Sequence, residues 1–94
     1  MIIESEKVLE RKLSKHIEKL GGFCWKLFPI HITGLPDRLC LLPGAIIFFV
    51  EVKTTNEEPK RRQLYVHKQL RNLGFRVEIV DTSEQIKKLL SDYE

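Results

Sequence analysis

The hexapeptide AIIFFV, residues 45 to 50, constrains this chain more than any other stretch. It is apolar throughout and follows Pro43-Gly44, a tight-turn dipeptide, so it reads as a core β-strand reached through a hairpin. The strand does not stop at Val50 but runs on into Glu51-Val52-Lys53. Strand side chains alternate faces, so Ile47, Phe49, Glu51 and Lys53 share one face while Ile46, Phe48, Val50 and Val52 share the other. A carboxylate and an ammonium are thereby placed inward on a core strand, about 7 Å apart by strand rise. The alternative is that the strand end emerges into solvent and leaves both side chains wet.

The rest of the chain falls into place around this strand. From about Glu4 to Leu20, Leu9, Leu13, Ile17 and Leu20 recur at helical spacing, and Gly21-Gly22 stops the helix. Phe23 to Phe28 alternates as a first strand, Pro29 to Pro36 is a loop, and Asp37 to Leu42 is a second strand that pairs with Ala45–Lys53 across the Pro43-Gly44 turn. A second helix spans about Lys60 to Leu73, closed by Gly74, with Gln63, Val66, His67, Leu70 and Leu73 along one face. Phe75 to Val80 is a fourth strand. Thr82-Ser83-Glu84-Gln85 resembles a capping box opening a last helix with Ile86, Leu89 and Leu90 inward. The order α-β-β-β-α-β-α defines an α/β fold without repeats or linkers.

A length of 94 residues implies one domain near the lower limit for a single core, small enough that a dimer is expected. With 43% hydrophobic and 31% charged residues the composition is that of a globular chain, neither disordered nor membrane-embedded. Sixteen Lys and Arg against 13 Asp and Glu leave +3, which permits a nucleic-acid partner without demanding one. Cys24 and Cys40 lack metal-ligand spacing and read as small buried hydrophobes in a reducing compartment. No apolar run approaches the roughly 18 residues of a membrane span and no secretory signal opens the chain, so a cytoplasmic location is expected.

Three features set charge where burial is expected. Glu51 and Lys53 are the first. The second is Asp37: if the hairpin pairs as read, the start of one strand lies beside the end of the other, making Asp37 and Glu51 neighbours. Two adjacent carboxylates repel, and a divalent cation or a shared proton relieves them; an aspartate satisfying loop amides is the plainer alternative. The third is the first helix, where Glu6 lies near the middle of the apolar stripe and Glu10 on its edge, so either could face the sheet. Jointly these residues suit a hard cation with positions left for water and a phosphate, beside a lysine able to orient water or stabilise phosphate charge.

Pro36-Asp37 followed by Glu51-Val52-Lys53 at the end of an apolar strand resembles the PD-(D/E)xK nuclease superfamily, whose restriction-endonuclease-like core has the order αβββαβ. More closely, GLPDR, then FFVEVK, then a Gln opening the next helix and a Gly-Phe-x-Val strand, is similar to the VRR-NUC family in its small stand-alone form. The resemblance covers Glu6 to Ile86. It implies a mixed central sheet flanked by helices, with Asp37, Glu51 and the Val52 carbonyl as ligands of Mg²⁺ or Mn²⁺. It implies Lys53 as the catalytic lysine and Gln63 as the family's helix-opening glutamine. For the helix-one glutamate, Glu10 has the better spacing to Gly21 and Glu6 the better inward angle. Lys26 corresponds to a lysine common in the family.

The implied activity is hydrolysis of phosphodiester bonds in branched double-stranded DNA, especially four-way (Holliday) junctions, by a homodimer. Arg38, Lys60, Arg61, Arg62, Lys68 and Arg71 are candidates for flanking phosphate contacts. Phe23, Trp25, Phe48 and Phe49 exceed what so thin a sheet needs and are candidates for a dimer interface. The small size favours a phage or mobile-element setting. Competing expectations are a non-catalytic DNA-binding module and a nuclease subunit of a larger repair or packaging assembly.

Overall fold

In a computed structural model describing residues 2–94, the elements follow in the order α1 (Glu6–Lys19), β1 (Phe23–Lys26), β2 (Arg38–Leu42), β3 (Ile46–Val52), α2 (Arg61–Asn72), β4 (Arg76–Val80) and α3 (Ser83–Ser91). The expected order holds, and the differences lie at element ends. Helix α1 starts two residues later than the periodicity predicts because Ser5 caps it, its hydroxyl accepting from the Val8 N–H. Strand β1 stops at Lys26: the Leu27 N–H still reaches the Asp37 carbonyl at 2.8 Å, but Pro29 then turns the chain away.

The sheet order is β1-β2-β3-β4. Strands β1, β2 and β3 form an antiparallel meander, and β4 lies parallel to β3, as a crossover through α2 allows. This is the mixed sheet expected of a restriction-endonuclease-like fold. Helices α1 and α3 cover one face, where Leu9, Leu13, Ile17, Ile86, Leu89 and Leu90 meet Cys40, Phe48, Val50, Val52 and Val80. A Leu→Ala change at a fully buried position of this kind costs about 2–5 kcal/mol, a large share of what a small domain has. Cys24 and Cys40 sit opposite each other across β1 and β2 with Sγ atoms 3.9 Å apart, Cys40 buried and Cys24 half-buried.

Helix α2 covers only the β3–β4 side of the other face, where Val66 and His67 are buried together with Glu51 and Val77. Beyond its reach Phe23 and Trp25 stack on each other, ring centroids 5.8 Å apart, and remain exposed, as does Ile47. Phe48 does not belong with them. It alternates onto the α1–α3 face, is fully buried and stacks on Tyr93 at 5.1 Å, which removes it as an interface candidate. Phe49 is half-buried, its ring edge-on to Phe75.

Two local devices hold the ends of this framework. Gly34 adopts φ +88°, and a Cβ there would fall 2.8 Å from the Arg62 carbonyl oxygen, so the loop leading into Asp37 lies against α2 as only glycine allows. At the N-terminus, Glu4 bonds through its backbone to Thr55, its N–H reaching Oγ1 at 2.8 Å and its carbonyl accepting from the Thr55 N–H at 3.0 Å. Its carboxylate takes Lys12 Nζ at 2.8 Å, the Ser83 N–H at 2.8 Å and the Ser83 hydroxyl. One residue thus ties α1, the β3–α2 connection and the start of α3 together.

Candidate active site

The β2–β3 register pairs Arg38 with Val50, so the residue before Arg38 stands beside the residue after Val50. Asp37 and Glu51 are therefore neighbours, as the hairpin predicts. Asp37 is half-buried and its Oδ2 accepts the Val52 N–H at 2.7 Å. Glu51 is 0% exposed, an uncommon position for a carboxylate unless it is paired. The Glu51 carboxylate acts directly on the Asp37 carboxyl across the strand pair.

Burial first, and then the charge of Glu51, push the Asp37 carboxyl up to about 7, against the opposing pull of the Val52 N–H. The charge of Glu10 adds to this rise. Even with Lys53 beside Glu51, Asp37 thus holds its proton well above the ordinary carboxylate range, as expected of a carboxyl that is both desolvated and set against a second carboxylate.

Helix α2 supplies the partners of Glu51. Gln63 is the third residue of that helix. Its Oε1 accepts the Lys60 N–H at 2.8 Å, closing the first turn, and its Nε2 donates to Glu51 Oε2 at 3.1 Å. One turn on, His67 is fully buried with Nε2 3.3 Å from Glu51 Oε1. Sequence reading placed His67 on the inward face of α2 but gave it no role. The available signal was its position four residues after Gln63, which stacks the two side chains on one helix face. Lys53, with a side chain 12% exposed, brings Nζ to 3.8 Å from Glu51 Oε2.

The outer residues divide into two groups. Glu10 takes Lys26 Nζ at 3.1 and 3.3 Å on its two oxygens and Arg38 Nε at 3.0 Å. Lys26 and Arg38 are thus drawn to α1, with Arg38 also donating to the Cys24 carbonyl at 3.4 Å. Glu6 is half-buried in the first turn of α1. Lys60, which caps α2, and Arg61, Arg62 and Lys68 on the helix are exposed. Arg62 lies 5.1 Å from the centre of the Tyr65 ring and donates to the Thr33 carbonyl at 3.3 Å. Arg71 is turned back onto β4, donating to the Val77 carbonyl at 3.2 and 2.6 Å.

Among the described residues no group of three or more His, Cys, Asp and Glu side chains forms a ready cage for a metal. Two carboxylates and a backbone carbonyl nonetheless suit Mg²⁺, which keeps several waters and binds through one or two carboxylates plus a substrate phosphate. The raised Asp37 carboxyl fits the same reading, since a cation would offset both the burial and the Glu51 charge that raise it.

No protein-family model matches the chain. A curated relative, "Putative nuclease p44" of Acyrthosiphon pisum secondary endosymbiont phage 1, is 37% identical over 79 residues, spanning 84% of this chain and 85% of that protein. A solved structure described as a VRR_NUC domain superposes with a TM-score of 0.89 at 33% identity, covering 97% of this chain and all of that one. The chain belongs to the VRR-NUC nuclease family. In this VRR-NUC chain the residues carrying the sequence resemblance, Asp37, Glu51, Lys53 and Gln63, form a single constellation where β2, β3 and α2 converge. Lys60, Arg61 and Arg62 stand at the near end of α2, and Lys68 lies about 10 Å further along the helix.

Proposed function

We propose that this VRR-NUC nuclease is a divalent-metal-dependent endonuclease that hydrolyses phosphodiester bonds in branched double-stranded DNA, four-way junctions foremost, and acts as a homodimer. The observation that carries the proposal is the pairing of half-buried Asp37 with fully buried Glu51, with Lys53 beside them. Asp37, Glu51 and the Val52 carbonyl would hold Mg²⁺ or Mn²⁺, with Glu10 or Glu6 supplying a further carboxylate from α1. When bound, such an ion neutralises charge on a scissile phosphate and lowers the pKa of a water.

The chain's own residues do the rest. Lys53 places a positive charge next to Glu51, where it stabilises charge developing on a phosphate or orients an attacking water. Gln63 fixes one oxygen of Glu51 while anchoring the first turn of α2. Lys60, Arg61, Arg62 and Lys68 form the open basic surface for flanking phosphates, setting affinity and register without reading bases. Lys26, Arg38 and Arg71 join them only by exchanging their present partners for phosphate.

A single domain with a Cα radius of gyration of 12.7 Å has too short a footprint to grip both sides of a branch, which supports a dimer. The exposed Phe23–Trp25 stack and Ile47 are the surface for it. The phage origin of the p44 relative supports action in a host cytoplasm during phage DNA processing.

The test is cleavage of end-labelled four-way junctions and of linear duplexes of matched sequence, with Mn²⁺ and with chelator. Metal-dependent cutting of the junction is expected, with the linear duplex cut far more slowly. No cutting under any condition would favour a non-catalytic DNA-binding module, and equal cutting of both substrates would remove the branch preference.

A further inference from the structure

Glu51 is held on both of its oxygens from one helix. Gln63 Nε2 takes Oε2 at 3.1 Å and His67 Nε2 stands 3.3 Å from Oε1, the two residues one turn apart on α2. An ionised carboxylate only accepts, so the imidazole meets it with its Nε2–H. The other ring nitrogen, Nδ1, is buried and has no hydrogen-bond partner among the described residues. An unsatisfied buried polar atom destabilises the fold, and an apolar side chain at this 0%-exposed position would avoid that cost. Packing alone therefore does not account for a histidine here. Its contact with Glu51 does.

Resting on the metal-site reading above, we infer that His67 is a positioning residue: through Nε2–H it fixes the orientation of the Glu51 carboxylate and so sets the affinity of the site for a divalent cation. Gln63 alone leaves the carboxylate free to turn about its bond to the side chain. With the second donor its plane is fixed, and the lone pairs left over are presented in one arrangement. Partners that orient a ligating group in this way typically govern metal affinity by about 10- to 100-fold.

The experiment compares His67→Met with His67→Gln, which are close in shape but differ in whether they carry an N–H donor. Uptake of Mn²⁺ by the DNA-free protein is followed by loss of the free-ion electron paramagnetic resonance signal, alongside wild type and Asp37→Asn, with melting in chelator to establish folding. The expected result is tight uptake by wild type, loss in Asp37→Asn, binding at least about tenfold weaker in His67→Met, and recovery of most of the affinity in His67→Gln. Wild-type affinity in a folded His67→Met overturns the inference while leaving the metal site standing. Equal weakening in both His67 variants, or failure of the Met variant to fold, overturns it as well, because the ring would then matter for packing rather than donation. No uptake by wild type removes the metal reading, and this inference with it.

Discussion

Glu4 and Asp37 are two carboxylates that one small fold treats in opposite ways. Glu4 meets an ammonium, a hydroxyl and a backbone N–H, and the Lys12 and Ser83 contacts draw its pKa down from 4.5 to about 2. Asp37 meets a backbone N–H but also a second, fully buried carboxylate, and burial with that charge lifts it from 3.8 to about 7. The first is a finished structural clasp joining three parts of the chain. The second sets a carboxyl against a like charge with the Lys53 ammonium, 3.8 Å from Glu51, in opposition, the arrangement on which the proposed cation site rests. A carboxyl raised by burial and a like charge in a strand-end cluster marks a candidate site, whereas one lowered by its partners is already satisfied.

The largest effect that could break this contrast is on catalysis. Lys53→Ala is expected to lower the rate of junction cleavage by about 10²–10³-fold, in line with removal of one charge-stabilising group, while folding and junction binding stay near wild type. Glu4→Gln should do the reverse, lowering the melting temperature while sparing the rate per folded molecule. Single-turnover cleavage beside thermal melting checks both. A folded Lys53→Ala that cuts at the wild-type rate would remove the lysine from the chemistry, and a Glu4→Gln that is catalytically dead at full stability would show the clasp to be part of the site.

A smaller effect sharpens the contrast through pH. Glu4 has a lowered folded pKa, so its contribution to stability is complete above 4.5 and is lost as pH falls toward about 2. Asp37 has a raised folded pKa, so between 3.8 and about 7 the native state holds the extra proton, and metal-free stability from this group falls as pH rises through that window. Melting temperatures in chelator, measured across pH, should therefore lose part of their acid-side slope in Glu4→Gln and part of their neutral-side decline in Asp37→Asn. Identical slopes in wild type and Asp37→Asn would mean that the Asp37 carboxyl is not raised.

Much of this was legible in the sequence. Residues 45–50 and the Pro43-Gly44 turn fixed a hairpin, and the hairpin's register alone made Asp37 and Glu51 neighbours. Helix ends were less legible, because Ser5 and Lys60 stand just outside the apolar periodicity that marks α1 and α2. The clasp at Glu4 was invisible, since it joins residues 79 apart in the chain through side chains that carry no periodic signal. His67 was hidden for a different reason: a histidine on an apolar helix face looks like core until the opposing strand is known to present Glu51 to it. Aromatic content alone groups Phe48 with Phe23 and Trp25, although strand alternation from Glu51 puts it on the opposite face, where it is buried.

We propose that Asp37 and Glu51 are held together to share a divalent cation. Four melting curves address it most directly: wild type and Asp37→Asn at pH 7.5–8, above the raised Asp37 value, each in chelator and in Mn²⁺. Asp37→Asn keeps the shape and removes one charge, so in chelator it should melt at or above wild type, by on the order of 5 °C. A ligand bound only by the folded state raises the melting temperature by mass action, so Mn²⁺ should stabilise wild type clearly and Asp37→Asn little. Equal stabilisation of the two proteins by Mn²⁺, or a less stable Asp37→Asn in chelator, would contradict the account.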